Sequence, residues 1–422
     1  MNDAVVIGVG LAGLTAAVRM AEGGARVLVL AKGVGATHLG PCTIDVLGYA
    51  PERVKRPGEA LAGVGEDHPY AAVGRDGVAA AIEWFKERLP YVGGLDENLL
   101  LPTAVGALKP SAVVPESMAA GDLRDGGDVC VVGFRALKDF HAPLLADNLS
   151  RAGMPARSVE LDLVPERRAD VNSLGFARGF DDPAFRAEVA GQLSGRFGAE
   201  ERVAFPAVLG IAGAAWPELQ DRLARPVFEV PTLPPSVPGM RVFAVLRERL
   251  RRAGGRVILN ATVTGADRDG ARVTAVRANV GLREVTHGAE WVVLATGGFS
   301  AGGIELDSRW RARETALGLP VAGVPEGERF LPEYFDEHPI ARAGVAVDRE
   351  LRPEGLENVL VAGATLAGAV PWKEKSGDGI SLSTGHRAAE LVLGAMQREP
   401  AKSAGADSVA SSLREHRGEV AL

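Results

Sequence analysis

Cysteine is nearly absent. Cys42 and Cys130 are the only two in 422 residues, they lie far apart, and they form no CxxC pair. That excludes an iron–sulfur cluster or a zinc site built from this chain's own thiols, and no metal site is expected. So few thiols fit a reducing cytoplasm better than a disulfide framework. Long apolar runs are missing as well, since no stretch reaches the ~20 residues needed to span a bilayer. The apolar segment Met1–Met20 has no basic n-region and is interrupted by glycines, so it does not read as a signal peptide. A basic excess is also lacking: 47 Lys and Arg stand against 54 Asp and Glu, a net charge of −7. A general nucleic-acid binder would need a basic face. No internal repeat is visible.

What the chain has in quantity is glycine, 53 residues, about one in eight against a usual ~7%. In an α/β protein that suggests tight turns and close approach of backbone to a ligand. A single core stops growing near ~250–300 residues, so two domains are expected. The opening reads β–α–β: strand Ala4–Ile7, helix Leu11–Glu22, strand Arg26–Leu30, an order that favours a parallel sheet. Beyond it the pattern predicts helices over 78–88, 137–151 and 183–197, and strands over 128–132 and 157–163. Pro231–Met240 (PTLPPSVPGM) holds four prolines in ten residues, which excludes a helix there and marks a crossing between domains. A second reading lays this extended segment beside a cofactor. Then come a helix over 242–253, strands over 256–259, 261–267, 272–278, 290–294 and 359–362, and a helix over 383–396. From Gln397 the chain is polar and is expected to be mobile.

The strongest motif is Gly8-Val9-Gly10-Leu11-Ala12-Gly13, because it follows a strand and opens a helix. The first glycine makes the turn, the second admits a pyrophosphate, and the third lets helix and strand pack closely. Free amides and the dipole at the helix start would hold the phosphates. The acid that usually ends the second strand is replaced by Ala31 or Lys32, and lysine cannot accept the ribose hydrogen bonds. That weakens a nicotinamide reading; Lys32 could instead meet phosphate or backbone, or be a solvated charge. Two distant segments point to a flavin. Trp291–Gly298 (WVVLATGG) ends a strand in small residues, with Thr296, Gly297 and Gly298 free to lie against a cofactor. Asn358–Ala364, with Gly363, is followed by Ser376–Ser381, and the helix start around Asp378, Gly379, Ile380 and Ser381 could stabilise the negative charge of a reduced flavin. Asp378 could bond the ribityl hydroxyls or serve only as an acid in the first helical turn.

Together these segments resemble the glutathione-reductase-like FAD superfamily in its succinate dehydrogenase and fumarate reductase branch. Leu30–Gly40 (LAKGVGATHLG) resembles the branch's post-strand loop, with Thr37 and His38 at its Ser/Thr-His pair. Some relatives attach FAD covalently to that histidine, but the spacing here is one residue shorter, so His38 is expected as a non-covalent flavin neighbour. A narrower resemblance covers almost the whole chain: the family of B-type subunits of anaerobic glycerol-3-phosphate dehydrogenase. It is carried by VVIGVGLAGLTAA, GATHLGPCTIDVL, VVGFRALKDFHAPLLADNL, LPPSVPGMR, RFLPEYFDEHPIARAGVAVD and Leu351–Leu391. The resemblance implies oxidation of sn-glycerol 3-phosphate to dihydroxyacetone phosphate in a complex. Its partners would be a catalytic A-type flavoprotein subunit and an iron–sulfur, membrane-anchoring subunit that feeds quinone. It implies FAD, with FMN as the alternative, and a cytoplasmic chain held at the inner face of the membrane only through a partner.

The expected fold is α/β: a discontinuous Rossmann-like FAD-binding domain (1–58, 237–302 and 341–398) with an inserted α/β capping or substrate domain (59–236 and 303–340) and a mobile tail (399–422). A phosphorylated polyol needs cations and its alcohol needs a base. A histidine suits the task of a base near neutral pH; His338 and Arg342 are the candidates, placed over the flavin face, the other reading being a surface loop with exposed charges. The alternating Arg309, Arg311 and Arg313 read as a solvated face. Tyr334, Phe335 and Trp372 could shield the flavin ring or serve as core or interface aromatics. A stand-alone fumarate-reductase-like enzyme and an electron-relay or assembly subunit without its own substrate site are the other readings.

Overall fold

The computed structural model describes residues 1–165, 171–198, 201–212 and 215–415, with side chains described through 398. The opening strand (Asn2–Ile7) is buried along VVI, and the opening helix (Leu11–Glu22) turns Leu14, Val18 and Met20 into the same core. The second strand (Val27–Ala31) is buried throughout. These belong to a seven-stranded sheet whose parallel part runs Arg256–Leu259, Val27–Ala31, Asn2–Ile7, Arg283–Leu294, Val359–Val361. Ala261–Asp269 and Arg272–Val280 add an antiparallel extension on the long Arg283–Leu294 strand. The fold is α/β, as expected.

The chain order reverses beside the opening strand. One neighbour follows it at once in sequence, and the other, Arg283–Leu294, arrives more than 250 residues later. In open α/β sheets the crevice at the carboxyl ends of two such strands is where ligands bind. Here those ends are Ile7–Gly8 and Leu294–Ala295.

A second sheet is wholly parallel and has four strands, in the order Val227–Val230, Arg202–Pro206, Val129–Phe134, Ala156–Leu161. It has its own core, rich in phenylalanine (Phe134, Phe176, Phe180, Phe205, Phe228). The helix Pro69–Lys86 lies in the stretch the sequence gives to the inserted unit. Its buried Trp84 and Phe85 nevertheless join the first core.

Several boundaries move for identifiable reasons. The helix expected from Leu137 begins at Ala142, with Pro143 in its first turn, where the missing amide is tolerated. The helix expected from Val242 starts at Val237, inside the proline-rich crossing; Pro238 again occupies the first turn, and Ser236 caps it by accepting from the Gly239 amide. Proline there starts a helix rather than forbidding one. The terminal helix (Gly377–Glu415) runs on through most of the tail expected to be mobile, and residues 416–422 lie outside the described residues. Among the described residues no helix is long and apolar enough to cross a membrane.

Candidate functional site

The turn after the opening strand is shaped by what its glycines exclude. A Cβ on Gly8 would lie 2.2 Å from the carbonyl oxygen of Ala295, and one on Gly13 would lie 2.1 Å from that of Gly8. Both positions are closed by backbone. Gly10 differs, since nothing lies within 4 Å of where its Cβ would be. The opening helix has neither a side-chain cap nor an acid in its first turn. Its first amides therefore face that open space without an intrahelical partner, an arrangement suited to an anion.

Four other segments close around this turn. Gly35 packs on Gly10, its Cβ position 3.0 Å from the Gly10 Cα and N, so the loop carrying Thr37 and His38 folds back over it. Gly8 touches Ala295, which leads into Thr296, Gly297 and Gly298. The Cβ position of Gly363 is 2.9 Å from the Ala12 Cβ and 3.6 Å from the Ser381 Oγ. Its amide donates to Thr384 Oγ1 at 2.9 Å. Gly379 donates its amide to the Asp45 carbonyl at 3.0 Å and packs on the Tyr70 hydroxyl; Ile380 is buried behind it. The segments holding Gly8, Gly10, Leu11, Ala12, Gly13, Thr37, His38, Thr296, Gly297, Gly298, Gly363, Asp378, Gly379, Ile380 and Ser381 are thus brought together. Lys32 is exposed at the end of the second strand.

Three polar atoms in these segments are buried without a partner among the described residues: Thr37 Oγ1, His38 Nε2 and Thr296 Oγ1. Buried polar groups are ordinarily satisfied, so this ring of orphans around an open backbone turn fits a polar, phosphate-bearing group such as a flavin dinucleotide. The His38 ring stands edge-on to Phe243 at 4.9 Å, and burial lowers its pKa, which keeps the ring neutral near pH 7.

His338 and Arg342 are engaged elsewhere. The Leu331 amide donates to His338 Nδ1 at 3.0 Å, and Nε2 contacts the Tyr334 carbonyl at 3.1 Å. The ring is thus the Nε2–H tautomer with its lone pair occupied. Arg342 donates to Glu337 Oε1 at 2.6 Å and to the Gly368 carbonyl at 2.9 Å. Glu337 also takes Lys373 at 3.3 Å. Arg342, Lys373, Glu337, Glu374 and His68 line one cavity of about 580 Å³. Tyr334 and Phe335 are 82% and 79% exposed and Trp372 is 42% exposed; turned outward, none of the three is a core aromatic. Arg311 and Arg313 pair with Asp307 and Glu305 on an exposed face, as expected of a solvated run.

The sequence reading missed a polar cluster beside the start of the terminal helix. Lys109 Nζ donates to Asp45 Oδ2 and to Thr43 Oγ1, each at 2.7 Å. Asp45 lies in the GATHLGPCTIDVL stretch, but nothing local marks Lys109 as its partner.

The family profile described as "FAD binding domain" matches residues 3–380. The probable B-type subunit of anaerobic glycerol-3-phosphate dehydrogenase from Halobacterium salinarum is 33% identical over 425 residues, covering 94% of this chain and 99% of that one. This chain belongs to the family of B-type subunits of anaerobic glycerol-3-phosphate dehydrogenase. The B-type subunit from Pectobacterium carotovorum is 31% identical, covering 93% of this chain and 98% of its own. The chain is accordingly a flavoprotein of the oxidoreductase class, and its cofactor is FAD. Among solved structures, the 3-ketosteroid Δ1-dehydrogenase of Sterolibacterium denitrificans aligns over 93% of this chain and 99% of its own, at 13% identity and a TM-score of 0.44. Quinol fumarate reductase of E. coli aligns over 98% of this chain and 74% of its own, at 11% identity and a TM-score of 0.42.

Proposed function

We propose that this chain is the FAD-carrying subunit of a complex that oxidises sn-glycerol 3-phosphate to dihydroxyacetone phosphate. Its electrons would pass through an iron–sulfur, membrane-anchoring partner to quinone, alongside an A-type flavoprotein subunit. The observation that carries this reading is the match to the named B-type relatives along nearly the whole of both chains. FAD, when bound, supplies a ring that accepts hydride from an alcohol carbon.

The chain's own residues supply the rest. The opening turn holds the phosphates on free amides. Thr37, His38 and Thr296 offer their unpartnered atoms to the cofactor. The start of the terminal helix places a positive dipole end where negative charge gathers. Arg342 and Lys373 bring two cations to the wall of the 580 Å³ cavity. In this reading the substrate phosphate takes them over from Glu337. His338 becomes the base once the Leu331 amide releases its Nδ1.

A second reading has its own support. The same ties that would have to yield leave neither a free cation nor a free imidazole lone pair in that group. This is what an electron-relay subunit without a substrate site would show. Anaerobic mixing of the isolated FAD-loaded chain with glycerol 3-phosphate decides between them. Bleaching of the flavin absorbance, lost in Arg342→Leu and His338→Ala variants that keep their FAD, supports the dehydrogenase. Bleaching only when the A-type partner is added supports the relay. Reduced protein that is reoxidised by fumarate without partners would point to a stand-alone reductase.

A further inference from the structure

We propose that Asp45, Lys109 and Asp378 form a partly buried proton-holding site beside the flavin, taking up one proton when the flavin is reduced and releasing it on reoxidation. The inference rests on the FAD site but not on the identity of the substrate.

The geometry is that of an unbalanced charge cluster. Asp45 is 7% exposed. Its Oδ2 accepts from Lys109, while its Oδ1 is buried with no partner. The Gly379 amide donates to the Asp45 carbonyl, which brings the neighbouring Asp378 to the same place from the first turn of the terminal helix. The carboxyl of Asp378 has no hydrogen-bond partner among the described residues. Asp378 feels both the Asp45 charge and the Lys109 charge, and close carboxylates in a poorly solvated site cannot both ionise freely.

Other groups surround the cluster. Thr43 and Cys42 come from the same loop as Asp45, Tyr70 from the Pro69–Lys86 helix, and Tyr91 from the Tyr91–Gly93 strand. Glu374 and Lys375 come from the segment leading into the terminal helix. Lys375 feels both Lys109 and Asp45, and its amine donates to the Trp372 carbonyl at 2.6 Å. Burial and the Asp45 charge push Asp378 up to about 7 against the pull of Lys109. Part of the Asp378 surface stays accessible. Burial pushes the phenol of Tyr70 and the thiol of Cys42 well above their ordinary ranges, so both stay protonated near pH 7. Asp378 is the member poised to change.

The balance is simple. A chemical reductant gives two electrons, the flavin takes both with one proton, and a second proton passes from solvent to the Asp378 carboxylate. Below about pH 7 the carboxyl already holds its proton and takes no more. Above that value reduction adds negative charge nearby and draws one in.

The test is a potentiometric titration of the FAD-loaded protein with dithionite across pH 5.5–9. It needs no substrate, so failure of the glycerol 3-phosphate reading leaves it intact. In the unaltered protein, uptake of one further proton per two electrons is expected to set in near pH 7. Asp378→Asn should abolish that onset. Lys109→Met should move it upward and Asp45→Asn downward, each by roughly one pH unit, with Lys109→Arg restoring the original position. An onset unchanged in Asp378→Asn overturns the proposal. If that variant fails to retain FAD, the Lys109→Met and Asp45→Asn proteins decide: opposite displacements support the proposal, and no displacement in either overturns it.

Discussion

Arg241 and Glu229 face each other in a two-pronged ion pair, Nη1 to Oε2 at 2.6 Å and Nη2 to Oε1 at 2.9 Å, where the second sheet meets the helix Val237–Arg252. The Glu229 side chain is fully buried and also accepts from Ser117 Oγ and the Leu209 amide. Arg241 further donates to the Gly210 carbonyl. Burial by itself would raise the Glu229 pKa; the Arg241 charge and the hydrogen bonds outweigh it and hold the carboxyl below its ordinary value. Removing the cation leaves a buried carboxylate unpaired, which costs about 3–5 kcal/mol. Arg241→Met should therefore lower the unfolding free energy by that amount in a denaturant titration. The double variant Arg241→Met with Glu229→Met should recover much of it. A single variant as stable as the parent would show the pair to be unimportant.

The two kinds of glycine in the opening turn separate folding from cofactor binding. Gly13→Ala drives a methyl into the Gly8 carbonyl, so it should destabilise the sheet and lose FAD together. Gly10→Ala meets open space in the protein and should fold with an unchanged far-ultraviolet spectrum and thermal midpoint. Its methyl occupies the space left for the pyrophosphate, so FAD affinity should drop at least tenfold, about 1.4 kcal/mol. Equilibrium dialysis with apoprotein checks it; Gly10→Ala binding FAD as tightly as the parent would place the phosphates elsewhere.

Much of this architecture was legible because local pattern and long-range structure agree. AVVI before GVGLAG needs only strand, turn and helix, and the glycines themselves demand the close backbone packing seen at Ala295 and Gly8. WVVLATGG was legible for the same reason. The Leu108–Ser111 strand was not: it is four residues long and contains Pro110, so no alternation can declare it. Lys109 sits on that strand, and its partner Asp45 lies 64 positions away; no spacing rule spans that distance. The helix at Val237 was hidden by treating every proline as a breaker, when one in the first turn is not. Residue type points to His338 and Arg342, and type does not reveal that Leu331, Tyr334, Glu337 and Gly368 already occupy their hydrogen-bonding atoms.

Acid should loosen the protein through its buried and half-buried imidazoles. Burial lowers the pKa of His38, His287 and His386. For a histidine with a lowered folded-state value, stability is fully present above the unfolded value of about 6.5 and is lost as pH falls through the folded one. Asp378, raised to about 7, acts in the opposite sense and loses stability as pH rises through that value. His38→Gln keeps a neutral side chain at every pH. Its thermal midpoint should fall less steeply than the parent's between pH 6.5 and 5, with little difference at pH 8. Equal slopes would show that the His38 ring is protonated as readily in the folded chain as in the unfolded one.

The attachment of FAD follows from the same histidine. Nε2 of His38 is buried and bare, and the ring is held neutral against Phe243. Acid precipitation of the purified protein should release all of the flavin into the supernatant as FAD. His38→Ala should still bind FAD, more weakly by roughly 0.5–1.5 kcal/mol for one lost hydrogen bond. Flavin that stays with the pellet and disappears in His38→Ala would show a covalent link after all.

The proline-rich crossing is tied to this loop. The Ser236 amide donates to the His38 carbonyl at 2.8 Å, and a Cβ on Gly239 would stand 1.8 Å from the Thr37 carbonyl oxygen. No relaxation of a side chain can relieve that contact, because the obstacle is backbone. Gly239→Ala must therefore push the Thr37–His38 loop away from the helix Val237–Arg252, or tilt that helix's first turn. Because the loop also folds over Gly10 through Gly35, the displacement reaches the phosphate turn. The expected result is a folded protein purified without its yellow colour, in which added FAD binds at least tenfold more weakly than in the parent. Gly239→Ala retaining stoichiometric FAD would mean that the crossing only joins the two cores and has no part in shaping the flavin site.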